Sequence, residues 1–269
     1  MKVILSRKGF DSANGGCASP ILPDGTLLSL PIPSEDDVKF CGLEYDNISY
    51  FDLIKELKPE FAFENCHLDP DIRPGIRKSP VKDWKPAFGQ IGSAQSTLEN
   101  AGVSPGDLIL FFGWFRHIVK TEKGYRYVTK RMDEDFYQYA DLQVIYGYMQ
   151  IGEIIKDKEK IKNYRWHPHA SENRTNKSTN ALYIPSERLS FNENLLGFGT
   201  LDFRNDRVLT KKDRTRGTWN EYDFYSPEHV YGNRKNSAKN GGLYYAGIWQ
   251  ELIIDESEEL TEWAKKIVE

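Results

Sequence analysis

Residues 108 to 115, LILFFGWF, restrict the fold more than any other stretch of this chain. The run is apolar at every position and therefore on both faces of a strand, which a solvent-facing sheet cannot tolerate. It predicts a strand covered on both sides. A second stretch of this kind, LQVIYGYMQIGEII at 142 to 155, is broken by Gly147 and Gly152, while Gly113 interrupts the first. Glycine weakens a strand interior unless the sheet bends sharply or another backbone approaches closely there. These strands predict an α+β fold built on a strongly curved mixed or antiparallel sheet or barrel, with three to four flanking helices.

The helices are read from caps and spacing. In SAQSTLENAG, Ser93 suits an N-cap, Ala94, Leu98 and Ala101 recur at helical spacing, and Gly102 is a stop. SPGD follows, with Pro105 and Gly106 placed for a type II turn. Residues 50 to 57 predict another helix. SEELTEWAKKIV closes as an amphipathic one, with Leu260, Trp263, Ala264 and Ile267 on one face and Glu258 in its first turn. Shorter strands are expected at 3 to 5, after the Gly124 turn, and at 181 to 184, 207 to 209 and 242 to 254, about eight in all. Proline and charge make 68 to 86 a surface loop, and small polar residues do the same for 171 to 179.

Composition narrows the function. A chain of 269 residues with 39% hydrophobic and 28% charged residues is globular, and no linker or repeat divides it, so one domain over 1–269 is expected. The net charge of −4 supplies no global basic field, so any nucleic-acid binding needs a local patch. Three widely spaced cysteines, Cys17, Cys41 and Cys66, fit neither a disulfide framework nor a metal knuckle, which points to a reducing compartment. The three-residue apolar run near the start is too short for a signal peptide, and no span follows. A cytoplasmic location without a membrane partner is expected, and the sequon at Asn173 is then incidental.

Five stretches carry candidate chemistry. SRKGFDSANGG, at 6 to 16, offers Arg7 and Lys8 for a phosphate, Asp11 to orient Arg7 or accept from a base or sugar, and Gly15 and Gly16 for close backbone approach. A turn with a surface Arg7–Asp11 ion pair is the plainer alternative. FGQIGSAQ sets Gly92 before a helix whose free N–H groups suit an anion, with Gln90 and Gln95 as readers of a base edge. GWFRH places Trp114, Arg116 and His117 at a strand end, for stacking and phosphate contact, or as a core Trp beside a charged end.

WHPHA sets His167 and His169 on one side of an extended chain as candidate acid and base. No metal is expected there, because HxH wants a third ligand and His67, His117 and His229 sit at no ligand-like spacing. Finally, 201 to 225 gathers Arg204, Arg207, Lys211, Lys212, Arg214 and Arg216 near Trp219 and two tyrosines. That composition suits a nucleic-acid groove, although Asp202, Asp206 and Asp213 dilute it and a solvated hairpin fits equally.

SRKGFDSANGG with SPILPDGTLLSLPIP, then FGQIGSAQSTLENAGVSPGDLILFFGWFR, then HPHA, LYIP and RVLT, resemble the nucleotide modification associated domain 3 family over nearly the whole chain. The resemblance implies a role beside bacterial and phage systems that modify, sense or restrict DNA bases, with DNA or a nucleotide carrying a modified base as partner. Residues 104 to 156 are also similar to PUA, ASCH and EVE barrels, which bind modified bases in a sheet-walled cleft. Two function classes follow. One binds a modified base or nucleotide without chemistry. The other is a group-transfer or glycosidic-cleavage enzyme using Asp11 or His167 and His169. A protein-interaction module of a defence operon is a third. No cofactor is identified by any fingerprint, since the P-loop and dinucleotide spacings are absent.

Overall fold

The computed structural model describes residues 1–232, 237–239, 242–247 and 250–269. Its centre is a nine-stranded mixed sheet. In chain order its strands are β1 (Val3–Arg7), β2 (Ser19–Ile21), β3 (Phe88–Gln90), β4 (Leu108–Thr121), β5 (Gly124–Tyr127), β6 (Leu142–Ile155), β7 (Ala181–Pro185), β8 (Phe198–Thr200) and β9 (Glu251–Ile254). The main path runs β9-β1-β4-β6-β7-β3, with β2 and β5 on β4 and β8 on β6. β4 pairs in parallel with β1 and β2 and antiparallel with β5 and β6. The sheet curls strongly into a half-barrel with helices on its flanks, an α+β architecture.

Alternation along the central strands explains the two cores. Val3, Leu5, Leu108, Leu110 and Phe112 face one side, where the terminal helix packs with Leu260, Ala264 and Ile267. Ile4, Ile109 and Phe111 face the other, against Phe88, Leu98, Met149 and Tyr183. Both faces are dry, as the unbroken apolar run requires. A third core, of Phe10, Leu30, Phe40, Tyr50, Leu53 and Phe61, lies under the loop that follows β1.

The strand glycines have the reasons expected of them. A Cβ on Gly113 would stand 2.7 Å from the Lys8 carbonyl oxygen, and one on Gly147 would strike Ile72 Cδ1 at 2.6 Å. The β4–β6 register shifts between Ile145 and Gly147, a bulge that sharpens the curl. Gly106 has φ +97°, as the second central residue of a type II turn requires.

Six helices are present among the described residues: α1 (Tyr50–Leu57), α2 (Gly92–Asn100), α3 (Phe136–Tyr139), α4 (Lys158–Ile161), α5 (Glu172–Thr175) and α6 (Glu258–Val268). Three of them are single turns that sequence periodicity cannot register. α2 begins one residue before Ser93, with Ile91 at the N-cap and no side chain capping it. The strand expected at 207 to 209 is instead a 3-10 turn, Asn205–Arg207, followed by a single bridge from Val208 to Val144. Of the strand expected over 242 to 254, Gly242–Leu243 and Glu251–Ile254 are extended, and residues 248 and 249 lie outside the described residues.

Neither predicted surface loop is merely surface. Within 68 to 86, Leu68, Asp69, Asp71, Ile72 and Ile76 are buried, and Asp71 accepts from Arg77 at 2.7 Å and from the Trp84 indole at 3.0 Å. Pairing makes these carboxylates tolerable inside, which composition alone cannot foresee. Within 171 to 179, α5 buries Thr175.

Candidate functional site

The curl stops short of closure. Its terminal strands β9 and β3 are joined by a side-chain bond, Gln90 Nε2 to Glu251 Oε1 at 2.5 Å, with Ser6 Oγ donating to the same oxygen at 3.1 Å. A cleft of about 710 Å³ opens over this seam. One wall is the loop after β1, with Arg7, Lys8, Asp11 and Asn14. The facing wall is the start of α2, with Ile91, Ser93, Ala94 and Thr97. Asp69, Gly89, Gln90 and Glu251 form the floor, and His67, His169 and Arg174 close one end.

The first loop is a built turn. Asp11 Oδ1 accepts from the backbone N–H groups of Ala13 and Asn14 at 2.8 and 2.7 Å, and Oδ2 pairs with the Arg7 guanidinium. Burial works against the Asp11 charge, but Arg7 and Asn14 hold its carboxyl below the usual range. Such a group is a poor proton shuttle at neutral pH. Gly15 and Gly16 stand away from the cleft. Their φ values of +86° and +71° fold the loop back, and a Cβ on Gly15 would lie 2.2 Å from the Phe10 ring.

On the floor, Asp69 is buried and richly partnered. Oδ1 accepts from the Gly89 N–H at 2.6 Å and faces His167 Nε2 at 3.3 Å, while Oδ2 faces Lys8 Nζ at 3.3 Å. Gly89 lies on the outer strand of the curl, so Asp69 satisfies an edge N–H that has no strand partner. Burial opposes ionisation, yet Lys8 and His167 hold the Asp69 carboxyl far below its usual range. Glu251 behaves oppositely. It is 1% exposed, its Oε2 has no hydrogen-bond partner, and burial raises its pKa despite Lys8, Ser6 and Gln90. Two carboxyl groups in one cleft are thus pushed apart in acidity, the arrangement by which sites separate a proton donor from a permanent anion.

The histidines are fixed in tautomer by their neighbours. His67 Nδ1 donates to Asp36 Oδ2 at 2.8 Å, and Asp36 is gripped by Arg174. His169 Nδ1 donates to Asn180 Oδ1 at 2.7 Å, an orientation set because Asn180 Nδ2 donates to the His169 carbonyl at 2.9 Å. His167 Nδ1 accepts from the His169 N–H at 3.3 Å, leaving its proton on Nε2 toward Asp69. Burial drives the His169 pKa down to about 3, so the ring is neutral at physiological pH. A Cβ on Gly89 would strike that ring at 2.2 Å, so glycine is what admits it. The spacing that leaves His169 without companions in the sequence does not survive folding. His67, Asp69 and His169 bring one candidate ligand atom each within 4.8 Å of one another.

Other sequence candidates fall elsewhere. Gln95 is buried between Tyr183, whose hydroxyl it accepts at 2.9 Å, and Glu99. Gly92 donates its N–H to Thr179 Oγ1 at 3.1 Å. Arg116 donates to the Val128 carbonyl at 2.8 Å, and His117 packs on Phe203 with its pKa lowered by burial to about 4. Trp114 donates to Asp141 at 2.9 Å and carries Arg216 over its ring at 4.0 Å.

The basic segment is largely neutralised. Arg204 pairs with Asp206, Lys211 pairs with Glu221, and Arg207 is buried on backbone carbonyls. Lys212 and Arg214 are exposed. Trp219, Phe224 and Tyr225 belong to the core, so they offer no stacking surface to a nucleic acid.

Sequence reasoning passed over Glu251, Asp69, His67, Asp36 and Arg174. A signal existed for Glu251, a lone carboxylate entering the apolar run ELII, where an unpaired charge is costly unless used. For the others no local signal exists, since they sit in stretches with loop composition.

No helix among the described residues is long and apolar enough to cross a membrane. No curated protein and no solved structure matches the chain. The model of one family does, over residues 2–255 of 269, and it covers the first loop, the seam strands and every residue of the cleft. The chain belongs to the family described as nucleotide modification associated domain 3.

Proposed function

We propose that the seam cleft binds a single nucleotide, free or presented by a DNA strand, and that Glu251 exchanges a proton with it. The observation that carries this reading is the buried Glu251 carboxyl, with one unpartnered oxygen, lining a cleft in a chain of a nucleotide-modification family. The volume suits a small-molecule ligand. The first turn of α2 beyond Gly92 and Arg7 on the opposite wall suit a phosphate, and Asn14, Ser93 and Gln250 offer neutral polar contacts to a base or sugar. Glu251, its carboxyl made less acidic by burial, serves as the donor to a base or leaving oxygen, and Asp69 as the standing anion. This reading moves acid–base work from Asp11 and the His167–His169 pair to Glu251.

A base-reading role without chemistry remains the second reading, and one contact favours a polynucleotide ligand for it. Arg216 Nη2 donates to Ser12 Oγ at 2.6 Å while its guanidinium covers Trp114. The basic segment therefore abuts the loop that walls the cleft. A strand leaving the cleft would pass this edge toward Lys212 and Arg214.

Calorimetry with deoxynucleoside monophosphates and a short single-stranded oligonucleotide, with mass spectrometry of the mixtures, separates the readings. The expected result is saturable binding by the wild type and product formation that Glu251→Gln lowers by about 100-fold or more while binding persists. Binding without product in either protein supports the reader. Failure of every nucleotide and oligonucleotide to bind overturns both.

A further inference from the structure

We propose that His67, Asp69 and His169 form a site for one divalent first-row transition metal ion at the closed end of the cleft. The reading is independent of nucleotide binding, since occupancy is measured with no nucleotide present.

The donor set is the first argument. Two imidazoles and one carboxylate, each offering one atom within 4.8 Å of the others, match the number and type of protein ligands that hold zinc or non-haem iron with open positions left over. The tautomers are the second. Each histidine spends Nδ1–H on a fixed acceptor, Asp36 for His67 and Asn180 for His169, so the remaining Nε2 lone pair is what each ring can give a metal. Acceptors behind the ligating histidines are the usual support of such centres. Asp69 is likewise anchored through Oδ1 by the Gly89 N–H, which leaves Oδ2 as the available oxygen.

Two further groups stand around the site: His167, whose Nε2 faces Asp69 Oδ1 at 3.3 Å, and Lys8, whose ammonium stands 3.3 Å from Asp69 Oδ2 and 4.3 Å from the centre of the Phe88 ring. An ammonium and a divalent ion cannot share that oxygen without repulsion. Lys8 therefore competes with a metal for Asp69, and metal entry displaces it. Its flexible four-carbon stem lets the ammonium swing off Asp69 into the cleft that Lys8 itself lines. From this follows an effect that an incidental cluster of histidines would not show: removing the lysine charge should tighten metal binding.

The test uses the full chain, stripped of metal and titrated with Co²⁺ followed by its visible absorption, with Zn²⁺ competition. Wild type should bind one ion per chain. His67→Ala and His169→Ala should each weaken Co²⁺ binding by about 10-fold or more, Asp36→Asn by a smaller factor, and His229→Ala not at all. Lys8→Met should bind at least several-fold more tightly than wild type. Thermal melts establish that each variant is folded. Because Lys8→Met is a gain, loss of fold in a histidine variant does not shelter the idea. Absence of stoichiometric Co²⁺ binding in both wild type and Lys8→Met, or binding indifferent to His67 and His169, overturns it.

Discussion

Replacing Glu251 by glutamine isolates the one cleft carboxyl whose pKa is raised. The amide is isosteric, and its carbonyl oxygen can take the place of Oε1, keeping the bonds from Ser6 Oγ and Gln90 Nε2. At the position of Oε2, where no partner stands, the protonated acid puts at most one O–H and the amide puts an NH₂. The added unpartnered donor costs about 1–3 kcal/mol. The sign of the pH effect follows from the direction of the shift. A folded-state pKa above the unfolded value of 4.5 means that the native state keeps its proton after the unfolded chain has lost it. The associated stability is complete below pH 4.5 and is lost as pH rises through the folded pKa. Over that window its slope approaches about −1.4 kcal/mol per pH unit, one proton's worth. Glutamine has no proton to lose. Urea unfolding across pH 4 to 8 should therefore find Glu251→Gln less stable than wild type at the acid end, with the gap narrowing as pH rises. A gap of constant size at every pH would refute the claim that burial raises the Glu251 pKa.

Arg7→Ala should lower stability by only about 1 kcal/mol in urea melts, the range for a partly exposed ion pair. Asp11→Ala should lower it by about 1–3 kcal/mol, because it also removes the acceptor of the Ala13 and Asn14 N–H groups. Calorimetry should find nucleotide binding weakened by both, and unchanged affinity would reduce the loop to a turn. Gly113→Ala pushes its methyl against the Lys8 carbonyl. It should cost about 1–3 kcal/mol and move the loop, with Tm and nucleotide affinity falling together. His117, whose pKa is lowered to about 4 by burial, contributes stability that is full above the unfolded value of 6.5 and lost as pH falls toward 4. His117→Phe should flatten that acid limb in urea melts, and an unchanged acid limb would show that the imidazole titrates normally.

What the sequence revealed and what it hid divide along physical lines. LILFFGWF and LQVIYGYMQIGEII were legible because burial on both faces forces an apolar residue at every position, whatever the strand order. Gly113, Gly147 and Gly152 announced crowding without naming the neighbours, since the Lys8 carbonyl or Ile72 meets them only after folding. The loop–helix cleft was half legible. Arg7, Lys8, Asp11 and Gln90 do line one concavity, whereas Gln95 turns into the core, because one residue of helical phase decides which way a side chain points. Trp219 and Tyr225 looked like stacking surfaces, but aromatic residues are core builders first. The polar floor was illegible for another reason: Asp69 and His67 owe their place to partners far along the chain, which spacing cannot encode.

The seam has a consequence for how the chain assembles. The contact that crosses it and the ion pair behind His67 join residues remote in sequence: Gln90 and Glu251 are 161 apart, and Arg174 and Asp36 are 138 apart. Loop closure of that span is costly until the intervening strands are in register, so these contacts form late in folding. No autonomous fragment can hold the cleft. Competence for a ligand and completion of the fold are one event, and a molecule bound across β3 and β9 acts as a clasp on the whole sheet. Its affinity then appears as resistance to global unfolding, so a rise in Tm should report a true ligand independently of any turnover.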